Sequence, residues 1–196
     1  MTIILGWVTV VLALISYSFY FRNIFRGKTK PHAITWLVWS LLNTFIFFQQ
    51  ATHNGGPGAW VTGVAAVANI LIFFFSFKYG ERNITRFDWG CLLIALLVLV
   101  AWRLTTSAEL AVILASGVFI VGLTPTIRKS RLKAMEETAT TYGLNSLKFL
   151  IALFALTNVT LVTALYPLVL FVVNALFFIY LVSRQVSFRR MQHDMS

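Results

Sequence analysis

Residues 64–77 read VAAVANILIFFFSF, and residues 168–181 read LVLFVVNALFFIYL. Both are apolar runs, and each holds one asparagine near its centre, Asn69 or Asn174. The two asparagines stand 105 positions apart. A primary amide in an apolar setting costs free energy unless it is bonded, so its recurrence in two matching runs points to a duplicated unit. The fold depends on how far that unit extends on either side.

Working outward, each run closes a triplet of apolar segments. The first segment of each triplet runs into a basic loop, YFRNIFRGKTK (20–30) in one half and PTIRKSRLK (125–133) in the other. The second carries aromatics and amides, TWLVWSLLN (35–43) and TTYGLNSLK (140–148). The 105-residue offset sets Tyr20 opposite Pro125 and Asn43 opposite Lys148. Both triplets are expected to start on the same side of a membrane, which requires one further span between them to invert the chain.

Composition agrees with a membrane protein. The chain has 196 residues, 59% hydrophobic and 11% charged, where a soluble domain carries roughly 25% charged residues. Its mean hydropathy is +0.82. A span needs about 20 apolar residues, and seven segments qualify: Ile3–Phe21, His32–Gln50, Gly58–Phe77, Phe87–Leu104, Ala108–Ile127, Ala139–Leu156 and Val162–Ser183. Turn and charge signals separate them: RNIFRGKTKP, HNGGPG, KYGERNITR, RLTTS, RKSRLKAMEE and TNVTL. The first run lacks a basic leader and an A-x-A site, so it reads as a retained span rather than a signal peptide. The lone Cys91 forms no internal disulfide.

The net charge of +10 would suggest nucleic acid in a soluble protein, but here the basic residues lie between apolar segments. Fourteen of the sixteen fall on one side of a seven-span arrangement, in the first, third and fifth loops and the tail. Arg103 lies at the opposite face and Lys148 inside a span. By the positive-inside rule the N-terminus is outside and the C-terminus cytoplasmic, as expected for a bacterial inner-membrane protein. The expected fold class is therefore all-α, with seven transmembrane helices in a 3+1+3 plan. Residues 1–80 form the first bundle, 81–106 the inverter, 107–185 the second bundle and 186–196 a cytoplasmic tail.

This plan resembles the SWEET sugar transporters and their PQ-loop relatives, whose halves are parallel repeats. GLTPTIRKS (122–130) is similar to the Pro-Gln motif, with Thr126 where that motif has Gln, and the first half has Tyr20-Phe21 at the corresponding place. Asn69 and Asn174 match the paired asparagines that line the SWEET sugar site. Trp36 and Trp39 stand on the second helix, where that family places pocket side chains. The KPHAITW start of that helix (30–36) also looks like a bacterial branch of small seven-span proteins. The resemblance implies a transporter.

The residues support a site independently of the resemblance. Trp36, Trp39, Ser40 and Asn43 recur at i, i+3, i+4 and i+7 and make one helical stripe. Tyr142, Asn145, Lys148 and Ala152 make a second. A polar stripe in a membrane helix faces the bundle interior or a water-filled cavity. At 1.5 Å per residue, Asn43, Asn69, Lys148 and Asn174 all reach about mid-depth of a ~30 Å slab. The expected substrate-binding set is thus Trp36, Trp39, Asn43, Asn69, Tyr142, Asn145, Lys148 and Asn174. Asparagine carbonyls, the Tyr142 hydroxyl, water or an anion are the expected partners of Lys148. Pro125 and Pro167, within or near spans, are candidate hinges.

The six acids avoid the span centres, so no carboxylate is placed as a mid-membrane proton carrier, which favours passive movement. His32, His53 and His193 are scattered and no metal site is expected. No Ser, His and Asp share a depth, so no enzyme is expected. The expected partners are a small-molecule solute and the lipid bilayer, with no cofactor, no nucleic acid and a homo-oligomer left open. The function expected is facilitated diffusion of a sugar-like, vitamin-like or small anionic solute. The other class is a non-transporting receptor, sorting or accessory protein.

Overall fold

The computed structural model describes residues 1–104 and 107–194. Seven α-helices account for most of it: α1 (Thr2–Phe25), α2 (Ala33–Thr52), α3 (Trp60–Tyr79), α4 (Arg86–Leu104), α5 (Ala108–Lys133), α6 (Ala139–Ala155) and α7 (Leu161–Asp194). No strand occurs among the described residues. Thr105 and Thr106 of the expected RLTTS turn, and the side chains of Trp102 and Arg103, lie outside the described residues.

Local chemistry explains where helices start and stop. The Thr85 hydroxyl accepts from the Asp88 amide at 3.4 Å, and the Asp88 carboxylate accepts from the Thr85 amide at 2.8 Å, a reciprocal capping box at the start of α4. Thr160 and Thr163 repeat the device at the start of α7. The Ser107 side chain caps α5 by accepting from the Leu110 amide. After α1 the chain turns through Gly27 at φ +67°, and after α2 through Asn54 at φ 58° and Gly56 at φ +62°.

Two helices outrun their apolar segments. The expected span ending at Ile127 continues to Lys133, and the one ending at Ser183 continues to Asp194, through the expected tail. Hydropathy marks where hydrocarbon ends, whereas Arg, Lys and Gln continue a helix readily once in water.

Among the described residues, four stretches are long and apolar enough to cross a membrane: Thr2–Phe25, Gly56–Tyr79, Ala108–Glu136 and Leu161–Phe188. The others carry the polar load. α2 holds Thr35, Ser40, Asn43, Gln49 and Gln50, α4 has Asp88 in its first turn, and α6 has 17 residues with Lys148 among them.

Neighbour relations follow a pattern. α3 packs against both α1 and α2, and α7 against both α5 and α6. Between these groups α1 meets α6, and α2 meets α5. α4 lies mainly on α5. The glycines of α5 differ in their surroundings. A Cβ on Gly122 would stand 2.9 Å from Val38 Cγ1, whereas one on Gly117 would meet nothing within 4 Å.

The two ends of the bundle are closed differently. At the basic end, five carboxylate–base contacts join the loops: Lys30–Glu136, His32–Asp88, Arg128–Asp88, Lys129–Glu137 and Lys133–Glu81. The opposite end is closed by backbone. The Thr157 amide donates to Gly55 O at 3.2 Å, and a Cβ on Gly58 would stand 2.8 Å from Ala152 O.

Candidate functional site

Both polar stripes face inward. Trp36, Trp39, Ser40 and Asn43 of α2 are buried, and so are Tyr142, Asn145, Lys148 and Ala152 of α6. Between them lies a closed cavity of about 10 Å³, room for about one water. Its wall includes Trp36, Trp39, Asn43, Asn69, Asn145 and Asn174, six of the eight residues expected from the sequence. Four amides from four helices thus converge on one point.

Each amide is oriented by a named contact. Asn43 Nδ2 donates to Trp39 O and Asn174 Nδ2 to Leu170 O, both at 2.8 Å and both one helical turn back. Asn69 Oδ1 accepts from the Tyr17 hydroxyl at 3.2 Å. Asn145 Oδ1 lies 3.0 Å from the Ser16 hydroxyl. Asn43 Oδ1 has no partner among the described residues. The rings form a row: Tyr20–Trp36 at 4.8 Å between centroids, Trp36–Trp39 at 5.2 Å and Trp39–Phe119 at 4.9 Å, with Trp39 Nε1 donating to Phe119 O. Such a wall offers flat apolar faces and amide donors and acceptors, with no carboxylate.

No family model matches the chain, and neither does any curated protein or solved structure.

The two remaining residues of the expected set stand off the cavity wall. Tyr142 points to the basic end, where its hydroxyl donates to Glu137 Oε2 at 3.1 Å. Lys148 is fully buried, and neither an asparagine carbonyl nor the Tyr142 hydroxyl holds it. Its Nζ lies 4.2 Å from the Tyr17 ring centroid and 5.1 Å from that of Phe149, both rings of the cavity wall. It has no hydrogen-bond partner among the described residues. Ring faces thus stand where bonds to carbonyl oxygens were expected. The hinge candidates Pro125 and Pro167 both lie inside helices, α5 and α7. Beside Pro125, the Thr126 hydroxyl donates to Thr35 Oγ1 at 3.0 Å, tying α5 to α2 at the Pro-Gln-like position.

Sequence reasoning missed the layer beneath the cavity. The side chains of the basic loops, used above only for orientation, also build a buried ionic layer. Glu137 accepts from Lys129 of α5, from the Tyr142 hydroxyl of α6 and, at 3.4 Å, from the Tyr20 hydroxyl of α1. Lys129 Nζ also donates to Lys30 O at 2.5 Å. Tyr20 packs against Trp36 with the two rings tilted by 51°, so this hub sits directly behind the cavity wall. Around it, burial opposes ionisation of Glu81, but the Asn83 amide and Lys133 ammonium outweigh it and hold the carboxyl below its usual range. Burial, against the pull of Asp88, keeps the His32 imidazole below its usual pKa. The bond to Glu136 raises that of Lys30. The KAMEE spacing hinted at such pairing, but which loops meet is a tertiary fact.

Proposed function

We propose that this chain is a multi-pass membrane transporter with a 3+1+3 helix plan, moving a small solute by alternating access around the four-asparagine cavity. The observation that carries the reading is the convergence of Asn43, Asn69, Asn145 and Asn174, with Trp36 and Trp39, on one buried point. Asn69 and Asn145 also bond across helices, to Tyr17 and Ser16, as structural amides do, but all four amides share one wall.

The plan itself rests on the neighbour pattern. Exchanging α1 with α5, α2 with α6 and α3 with α7 leaves the contacts α1–α3, α2–α3 and α1–α6 mapped onto α5–α7, α6–α7 and α2–α5. That is the relation expected of two parallel three-helix bundles, with α4 as inverter, and it supports the likeness to the SWEET and PQ-loop proteins. The basic end would face the cytoplasm.

A wall of amides and rings suits a neutral or zwitterionic solute with a ring and several hydrogen-bonding groups, sugar-like or vitamin-like. The buried acids lie in the basic-end layer and none lines the cavity, in keeping with facilitated diffusion. In the conformation described the cavity is closed at both ends, so transport would require each closure to open in turn. Its small volume favours the second reading, a receptor or accessory protein that never opens.

Reconstitution decides between them. Proteoliposomes should exchange at least one member of a labelled panel of hexoses, nucleosides and small zwitterions by counterflow, without response to a pH gradient. Asn69→Leu and Asn174→Leu should each slow exchange at least tenfold. Failure to exchange any of them while the protein remains folded would reject transport of this solute class.

A further inference from the structure

A second concavity lies outside the proposed solute path. It is a groove of about 640 Å³ between α1 and α3, lined by Leu14, Tyr17, Ser18, Phe21, Val67 and Leu71 among others. Its size falls within the range of small-molecule sites. From Trp60 to Leu71 along α3 it runs about 16 Å at 1.5 Å per residue. α1 and α3 both belong to stretches apolar enough to cross a membrane, so the groove faces hydrocarbon.

Tyr17 connects this groove to the interior. It lines both the groove and the closed cavity. The face of its ring is covered by the Lys148 Nζ, at 4.2 Å from the centroid. Lys148 is fully buried, with no hydrogen-bond partner among the described residues. The carboxylates of Glu81, Asp88, Glu136 and Glu137 are bound by other bases in the basic-end layer. An ammonium at mid-membrane depth costs several kcal/mol when alone, and ring faces offset only part of that.

We propose that the α1–α3 groove and Lys148 form a binding site for a single-chain amphiphile with a carboxylate head, of the fatty-acid class. The tail lies against Leu14, Phe21, Val67 and Leu71. The head reaches Nζ when the Tyr17 ring rotates away from its bond to Asn69 Oδ1. The ammonium and carboxylate together carry no net charge, and their attraction offsets part of the cost of the isolated lysine. A phosphate monoester would arrive with a second charge, and the groove lining holds no base to neutralise it. The site does not depend on the transport reading, since it needs only the bilayer and these residues.

The test uses the full chain in phosphatidylcholine nanodiscs with radiolabelled palmitate and hexadecanol, which differ in the head alone. Palmitate should bind at least tenfold tighter than hexadecanol. Lys148→Met should abolish that preference while leaving hexadecanol binding intact, and Val67→Trp, which fills the groove, should weaken both. A readout on the unaltered protein guards against a misfolded variant. Dicyclohexylcarbodiimide, acting in hydrocarbon, should join the palmitate carboxyl to Lys148 Nζ as an amide, with the reagent leaving as its urea, and peptide mass should locate the adduct. Equal affinity for the two ligands, a preference that survives Lys148→Met, absence of the Lys148 adduct, or tight binding of hexadecyl phosphate without palmitate would overturn the proposal.

Discussion

Replacing Lys129 by Met would leave the Glu137 carboxylate buried with only the Tyr20 and Tyr142 hydroxyls as donors. Both partners are nearly inaccessible, with side-chain exposures of 2% and 0%. Removing one member of such a pair costs about 3–5 kcal/mol, because the other charge stays desolvated. The double variant Lys129→Met/Glu137→Gln should recover part of that loss. Thermal unfolding in detergent of the two single variants and the double variant gives the coupling directly; additive losses would mean the pair is not a unit. The contrast with Lys148 is instructive. Both lysines are buried, but one sits at a helix end within reach of a carboxylate, and the other sits mid-helix among rings.

At the scale of elements, the approach of the Gly56–Ala59 turn to α6 is set by glycine. A Cβ on Gly58 would stand 2.8 Å from both Ala152 O and Leu156 N. These are backbone atoms of a packed helix and cannot yield as a side chain would. Gly58→Ala should therefore destabilise the protein by about 1–3 kcal/mol, the usual cost of overpacking. Gly117→Ala in α5 meets open space and should be neutral or stabilising by up to about 1 kcal/mol through helix propensity. Melting temperatures that move alike for the two variants would contradict this packing. The closed end depends on that glycine, so a transporter would have to part this contact in every cycle.

For the whole molecule, the basic-end layer predicts an acid response. The Glu81 carboxyl and the His32 imidazole both titrate below their usual ranges in the folded chain. Each therefore adds stability that is complete above its unfolded pKa, about 6.5 for His and 4.3 for Glu, and is lost as pH falls through the lower folded value. Stability should decline below about pH 6 and again below about pH 4. His32→Gln should remove the first decline, and a first decline that persists in that variant would assign it elsewhere. The topology reading has its own check. Reporter fusions at Gly56 and Arg190 should lie on opposite sides of the membrane, and the same side for both would end the seven-span arrangement.

Hydropathy and charge spacing determined the helix count, the inward stripes of α2 and α6, and six residues of the cavity wall. Those features follow from local periodicity: an apolar run must bury its backbone as helix, and polar residues three or four apart must share a face. They did not determine where α5 and α7 end, because helix persists beyond hydrocarbon. Nor did they determine which charges meet. Glu137 and Lys129 are eight residues apart, but Tyr20 joins them across 117 positions. Lys148 shows the same division. Its inward face on α6 was legible in the sequence, but its setting over Tyr17 was decided only when α1 packed against α6, since a side chain's partner is fixed by the helix that arrives opposite it.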